Sequence, residues 1–171
     1  MDIEMNKIIL TLLLLIVLSC CFLLISLSDG DIEDVVVCST GSGSHYIPTA
    51  VCKYYLYNFR ADANDIQYLQ NRSGLNFIIN MADVKDKNKL LSFFLSKGLD
   101  INKQSNIDGF PPLHAAILLN DVKSVSFLLK NGVSLTTVDK KRNLTPLEFS
   151  MLLKENNPKV DRSAVMALLK G

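Results

Sequence analysis

The sequence predicts an all-α protein, a short solenoid of about three helix-pair repeats behind an N-terminal apolar segment. Residues 108–132 read Asp-Gly-Phe-Pro-Pro-Leu-His-Ala-Ala, then eleven residues, then Phe-Leu-Leu-Lys-Asn-Gly, a pattern that opens one helix and closes another. Related blocks recur about 34 residues away, at 93–98 upstream (98 against 132) and at 146–148 downstream (146 against 112). A recurrence of this length indicates stacked helix pairs that bury their apolar faces against one another.

Residues 1–28 have the composition of a targeting segment. Residues 8–27 contain no charged side chain, Lys7 precedes them, and the acidic stretch 29–34 follows. Because the basic flank of such a segment stays in the cytoplasm, everything after residue 28 is predicted to be exported.

Three fates of this segment are consistent with the residues. The run Val17-Leu18-Ser19-Cys20 resembles a bacterial lipobox, which implies a lipoprotein acylated at Cys20 and is the reading we prefer. Alternatively, twenty apolar residues are long enough to remain as a membrane anchor. Ser26-Leu27-Ser28 offers a simple secretory cleavage site. All three place the rest of the chain outside the cytoplasm, and the preferred one places it on the periplasmic side of a bacterial membrane.

Between the targeting segment and the repeats we expect a flexible tether at 29–47 and an N-terminal helical cap at 48–73. The tether ends in the Gly/Ser-rich run 39–44, which lacks the Lys that a phosphate-binding loop requires. In the cap, Pro48 suits the first turn of one helix, and Asp62 or Asn64 suits the start of a second that ends before Gly74. Terminal units of a solenoid are expected to be atypical because one of their faces meets water.

Cys38 and Cys52 are the only cysteines beyond the targeting segment, and in an oxidising compartment they predict a disulfide. Closing a loop of this size would stabilise the fold by about 3 kcal/mol. The competing reading is a metal site that also uses His45, but these three residues lack the spacing of known metal ligands.

The repeats occupy 74–171. Gly98 and Gly132 supply the left-handed residue that ends a helix, at equivalent positions of two repeats. The third repeat opens at 144–147 and contains an enlarged turn between its helices. Shifting the central repeat back by 34 residues places Leu113 on Ile79 and His114 on Asn80, so the role of His114 is expected to be lost in the first repeat.

The central unit, 108–139, resembles an ankyrin repeat. It has Asp-Gly at the turn, Pro-Leu-His-Ala-Ala on the first helix, Val-x-x-Leu-Leu on the second and Gly at the close. Ala115 and Ala116 would let neighbouring helices approach closely, and Leu128 and Leu129 would fill the layer between repeats. The resemblance implies that His114 is structural, bonding backbone groups of neighbouring turns. It also implies a binding surface formed by the turns and the first helices.

Several function classes are disfavoured. The net charge of +1 is too small to argue for nucleic acid or an anionic membrane surface. No nucleophile motif, phosphate-binding loop or carboxylate pair is recognisable, so we predict no enzyme, no cofactor and no metal.

The repeat tips, 103–110 and 136–144, contain the predicted partner-binding residues. Ile107 and Phe110 are candidates for exposed apolar anchors, with Asp108 between them; alternatively, both pack on the adjacent tip. The remaining candidates form one run that is either a specific contact or a solvated tip, and they are Asp139, Lys140, Lys141 and Arg142.

An exported chain with few ankyrin repeats resembles the immunity lipoproteins that neutralise phospholipase effectors of type VI secretion systems. The resemblance implies a protein partner, a toxin encoded by a neighbouring gene, that is bound and occluded in the periplasm. It also implies attachment to the membrane through a lipid or an N-terminal anchor. The alternative is an envelope scaffold or chaperone-like ankyrin protein that supports a periplasmic enzyme or a stress response.

Overall fold

The computed structural model describes residues 2–43, 46–81, 85 and 87–171. The protein is all-helical, with 63% of the chain in helices, and the described residues contain no strand. The chain forms two compact units, residues 1–60 and residues 61–171. His45, named above as a metal ligand in the competing reading, lies outside the described residues.

The first unit contains three helices, α1 (Asp2–Asp29), α2 (Ile32–Thr40) and α3 (Thr49–Phe59). Within α1, Glu4–Asp29 is long and apolar enough to cross a membrane, and its apolar side chains are exposed. A cleaved signal sequence has the same length and composition. The apolar helix is therefore compatible with either a signal or an anchor.

A helix occupies most of the segment expected to be a flexible tether. Ile32, Val35 and Val36 on α2 are fully buried, and their i, i+3, i+4 spacing places them on one face. Gly41, with φ 74°, ends the helix in the left-handed conformation, and its N–H donates to the Cys38 carbonyl. The tether expectation was wrong here because apolar residues at helical spacing outweighed the polar composition around them.

Cys38 and Cys52 are joined by a disulfide, with their Cα atoms 5.7 Å apart, and this bond holds α2 against α3. Cys52 and Leu56 are the fully buried residues of α3, whereas Tyr54 and Phe59 are exposed. Helix α3 therefore belongs to the first unit through its cysteine-bearing face.

The second unit contains a series of short helices, which are α4 (Ala63–Gln70), α5 (Asn76–Ile79), α6 (Lys87–Ser96), α7 (Pro112–Leu118), α8 (Val122–Lys130), α9 (Pro146–Asn156) and α10 (Ser163–Leu169). Asp62 caps α4, its Oδ1 accepting from the Asp65 N–H at 2.9 Å. The expected cap 48–73 is therefore divided, because the disulfide ties α3 to α2 while α4 joins the repeats.

The repeats stack as helix pairs α5/α6, α7/α8 and α9/α10. Helix α7 packs against α8 and lies between α5 and α9, and α10 packs against α8 and α9. Ala115 and Ala116 are buried in this stack, where small side chains let the helices approach closely. The core between the pairs is apolar and fully buried, and it includes Ile79, Leu91, Phe94, Leu113, Ile117, Leu128, Phe149 and Val165.

The enlarged turn of the last repeat joins α9 to α10 and is anchored to the neighbouring repeat. Asn120 Nδ2 donates to the Asp161 carbonyl at 2.9 Å, and Arg162 Nη1 donates to the Ile117 carbonyl at 2.7 Å. Arg162 is only 8% exposed, although its position beside the last helix had suggested a solvated side chain. The inserted turn therefore folds back onto the solenoid.

Candidate protein-binding surface at the repeat tips

The two tip loops have the same hydrogen-bond pattern one repeat apart. The Ser105 N–H donates to the Phe110 carbonyl at 3.1 Å, and the Asp139 N–H donates to the Leu144 carbonyl at 3.2 Å. Ser105 and Asp139 are both buried, as are the turns' inward-facing polar groups. The repeat near 34 residues therefore extends to the loops and is not confined to the helices.

Each loop contains one residue in the left-handed region that completes its turn. Gly109 has φ 73° and Asn143 has φ 57°, and their N–H groups donate at 3.0 Å to the carbonyls of Ser105 and Asp139. Asn tolerates this conformation better than most residues with a Cβ. The Asp-Gly turn of one repeat and the Arg-Asn turn of the next are thus the same structure.

Asp139, predicted to be a contact residue or part of a solvated tip, is instead fully buried. Its Oδ1 accepts from the N–H groups of Lys141 at 3.0 Å and Arg142 at 2.8 Å. A carboxylate that is occupied in this way holds the turn together and is unavailable to a partner. The expectation for Asp139 was wrong because its side chain satisfies backbone donors of its own loop.

Asp108 also points inward and joins two repeats. Its carboxylate accepts from Asn76 Nδ2 at 3.1 and 3.2 Å, and its Oδ1 accepts from the Phe110 N–H at 2.9 Å. The two carboxylates in the tip loops are therefore turned away from the outer surface.

Phe110 is not the exposed anchor that was considered, because it is only 8% exposed. Its ring centroid lies 5.4 Å from that of Phe149, the equivalent aromatic contact to the next repeat. The other reading, packing on the adjacent tip, describes it correctly.

Two exposed basic side chains cover Phe110. Lys141 Nζ lies 5.5 Å from the ring centroid, and Arg142 Cζ lies 5.6 Å from the centroids of both Phe110 and Phe149. Cation–π contacts at exposed sites contribute about 0.5–1 kcal/mol each. The contacts fix the direction of both cations without burying them, and Lys140 beside them is also exposed.

Ile107 is 65% exposed, so its apolar side chain is free to contact a partner. It lies at the position equivalent to Lys141 in the neighbouring tip (141 − 107 = 34). We define the tip surface as Ile107, Lys140, Lys141 and Arg142. It presents one apolar side chain beside three cations, and the aspartates of the same loops face inward.

Hydrogen bonds join each tip to the next. Gln104 Nε2 donates to the Val138 carbonyl at 2.6 Å, and Asn102 Oδ1 accepts from the Ser134 N–H at 2.8 Å. The Asn106 N–H donates to the Arg72 carbonyl at 2.8 Å on the other side. Because the loops are tied at several points, the tip surface is pre-organised and would lose little entropy on binding.

His114 lies fully buried beneath the tips, and its Nε2 is 2.9 Å from the Leu144 carbonyl. Since a carbonyl only accepts, Nε2 carries the proton and Nδ1, which is buried without a partner, is unprotonated in the neutral ring. Burial lowers the pKa of His114 below its ordinary value, against the opposing effects of the Leu144 carbonyl and Asp139. A buried neutral imidazole bonded to backbone is a structural group.

The two predicted helix-ending glycines have the geometry that this role requires. Gly98 has φ 98° and Gly132 has φ 80°, and the residue after each donates its N–H to a carbonyl of the preceding helix at 3.1 Å. Nothing lies within 4 Å of a Cβ built at either glycine, so their constraint is conformational.

Sequence reasoning missed two residues that organise this region, Asn76 and Ser105. Asn76 Nδ2 donates to the Phe110 carbonyl at 2.9 Å, and Ser105 Oγ accepts from the N–H groups of Ile107 and Asp108 at 3.2 Å. The signal was present, because Ser105 lies 34 residues before Asp139 and both are residues that cap turns.

Among the residues that the structure describes, no group of three His, Cys, Asp or Glu side chains could hold a metal ion. Cys20, predicted to be lipidated, and Cys21 lie exposed on α1 with free thiols.

Comparison with known protein families matches residues 81–129 to the family model described as ankyrin repeats (many copies). The matched residues span the end of the first repeat and both helices of the central one. No curated protein and no solved structure matches this chain. The helical stack of this chain is therefore built from ankyrin repeats, which generally form non-catalytic modules for protein–protein interaction.

Proposed function

We propose that this chain is an exported ankyrin-repeat protein that neutralises a cognate toxin by binding and covering it, most specifically a phospholipase effector of a type VI secretion system. The observation that carries the proposal is the tip surface, an exposed apolar side chain beside three fixed cations on rigid loops. Occlusion requires no chemistry from the inhibitor, only a surface that is already in its binding conformation.

The charges of the tip surface specify the partner's chemistry. Asp108 and Asp139 face inward and accept hydrogen bonds, so Lys140, Lys141 and Arg142 are not neutralised by these two carboxylates. A complementary partner would present carboxylates around an apolar pocket that accepts Ile107. Such complementarity raises the association rate and excludes partners of the wrong charge.

The apolar helix α1 supports a location at a membrane. If this helix stays in the membrane, or if Cys20 is lipidated after cleavage, the repeats are held close to the surface that a phospholipase attacks. Attachment raises the effective concentration of an inhibitor at that surface without any new contact.

The test is protection of living cells. The product of the neighbouring gene is directed to the periplasm with and without this protein, and survival is counted. The proposal predicts that the full chain restores survival and that the Ile107→Asp, Lys141→Glu double variant does not.

A matched control changes exposed residues elsewhere on the repeats. Lys130→Glu and Lys170→Glu leave the tip surface intact, and they should protect as well as the unaltered chain. If the neighbouring gene encodes no toxin, or if survival is unchanged by this protein, the immunity function is wrong. An effect on the stability of a neighbouring periplasmic enzyme would instead identify the scaffold function.

A further inference from the structure

Helices α6 and α8 present the same outward stripe of side chains. In each helix a Lys is followed by Ser and Phe three and four residues later, a spacing that places all three on one face. The two stripes lie 34 residues apart (123 − 89) and consist of Lys89, Ser92 and Phe93, and of Lys123, Ser126 and Phe127. Both lysines are exposed, and both phenylalanine rings are half-buried. Packing alone does not require the repeated Lys and Ser.

The two stripes belong to one surface. At the start of the helices, Lys87 Nζ lies 3.2 Å from Asp121 Oδ2, which joins α6 to α8. Further along, a groove of about 440 Å³ runs between them, lined by Asn88 of α6 and by Val122, Lys123, Phe127 and Lys130 of α8, among others. Its walls combine apolar side chains with two lysines. We call this surface, with the outward side of α10, the second-helix face.

The second-helix face is basic although the whole chain is nearly neutral. Helices α6, α8 and α10 contain no Asp or Glu. Asp121, at the start of α8, is paired with Lys87 and accepts from Ser124 Oγ at 2.7 Å. Asp83 and Asp86 precede α6 and lie outside the described residues. In the described part of the chain four exposed lysines of this face form no ion pair, and they are Lys89, Lys123, Lys130 and Lys170.

We propose that the second-helix face docks on an anionic lipid surface. Lysine side chains can extend their ammonium groups to lipid phosphates while their methylene groups and the Phe rings cover the interfacial region. The net charge had disfavoured this class of partner, because it does not show that cations and carboxylates lie on different faces.

The apolar helix α1 makes a weak attraction sufficient. A chain held in the bilayer by α1 keeps its repeats within reach of the headgroups, so docking is an intramolecular step with a high effective concentration. Each lysine near an anionic surface then favours the docked state by about fivefold. This docking is independent of the toxin and leaves the tip surface out of the lipid contact.

The test uses the full chain reconstituted in vesicles of phosphatidylcholine, alone or with one third phosphatidylglycerol. An environment-sensitive fluorophore is attached at Ser92→Cys in a Cys20→Ser, Cys21→Ser background, which leaves the disulfide in place. We expect brighter, blue-shifted emission with phosphatidylglycerol, reversed in roughly 1 M salt, where screening acts within about 3 Å. A label at Thr136→Cys on the tips should not respond.

The decisive variant is Lys89→Gln, Lys123→Gln, Lys130→Gln, and its matched control is Lys103→Gln, Lys140→Gln, Lys141→Gln. The first should lower the docking equilibrium by about fivefold for each lysine removed, and the control should leave it unchanged. Equal melting temperatures show that both variants are folded. The proposal is overturned by emission that ignores phosphatidylglycerol, or by equal losses in the two variants. A response to soluble polyglutamate but not to anionic lipid would also overturn it, since the face would then bind acidic protein.

Discussion

Asn76 and His114 perform the same task one repeat apart. Asn76 Nδ2 donates to the Phe110 carbonyl at 2.9 Å, and His114 Nε2 donates to the Leu144 carbonyl at 2.9 Å. The two carbonyls are 34 residues apart (144 − 110), but the two donors are 38 apart (114 − 76). The difference of four residues is about one helical turn. The first repeat therefore keeps its bond to the next tip with a donor that begins one turn earlier.

This relationship predicts which residues hold the repeats together. Asn76→Ala and His114→Ala should each lower the free energy of unfolding by about 1–3 kcal/mol, because each removes a buried donor to the next repeat. Asn80→Ala, at the exposed position that simple alignment equates with His114, should change it by less than about 0.5 kcal/mol. Urea denaturation measures all three, and a larger loss at Asn80 than at Asn76 would contradict the assignment.

The protonation of His114 predicts a pH dependence. Burial lowers its pKa in the folded protein below the ordinary value of 6.5, so the unfolded chain binds this proton more readily. The contribution of the neutral ring is fully present above the unfolded pKa of about 6.5 and is lost as pH falls from there toward the folded pKa.

Denaturation of the unaltered chain between pH 8 and pH 5 (roughly the window around the imidazole pKa) should therefore show falling stability. The His114→Gln variant should be less stable at pH 8, and its stability should change less across the window. Parallel curves for the two proteins would show that another group is responsible.

The buried carboxylate of Asp139 is predicted to hold the second tip. Asp139→Ala leaves the N–H groups of Lys141 and Arg142 without their acceptor and should lower stability by about 2 kcal/mol. Asp139→Asn keeps an acceptor oxygen and should lose less. Protection of the amides at 140–144 from hydrogen exchange reports the loop directly, and unchanged protection in the Ala variant would contradict this role.

The ion pair of Lys87 and Asp121 should couple two repeats. Burial opposes ionisation of Asp121, but hydrogen bonds from Ser124 and the charge of Lys87 outweigh it and lower the pKa of the carboxyl. A double-mutant cycle with Lys87→Met and Asp121→Asn should give a coupling of about 1 kcal/mol at neutral pH. Because the folded pKa is depressed, this stabilisation is present above the unfolded pKa of 3.8 and is lost at lower pH. A coupling that persists at pH 2 (roughly two units below that value) would exclude an electrostatic origin.

The disulfide is predicted to stabilise the first unit alone. Reduction, or the Cys38→Ala, Cys52→Ala variant, removes the bond between α2 and α3 and should lower the stability of that pair by about 3 kcal/mol. Hydrogen exchange should accelerate in 32–59, and the amides of 61–171 should keep their protection. Faster exchange throughout both units would show that they unfold together.

Features that repeat with regular spacing were predictable, and features that depend on contacts distant in sequence were not. The helix pairs, Gly98 and Gly132 followed from spacing and from the need for left-handed residues. Phe110 was ambiguous because its burial depends on Phe149, which belongs to the next repeat.

Local composition was a poor guide in other places. Residues 29–47 looked polar enough for a tether, but the apolar face of Ile32, Val35 and Val36 formed a helix once α3 covered it. Asp139 looked like a surface charge, and its burial follows from backbone donors that only a folded turn brings together.

The most direct test of the account is the affinity of the full chain for the protein encoded beside it, measured by calorimetry in detergent micelles. The account predicts a stoichiometric complex that the Ile107→Asp, Lys141→Glu double variant weakens at least about thirtyfold, the effect expected for even one interface hot spot. Lys130→Glu with Lys170→Glu should leave the affinity unchanged. Absence of binding, or equal affinity of the tip variant and the unaltered chain, would contradict the claim that the repeat tips bind the partner.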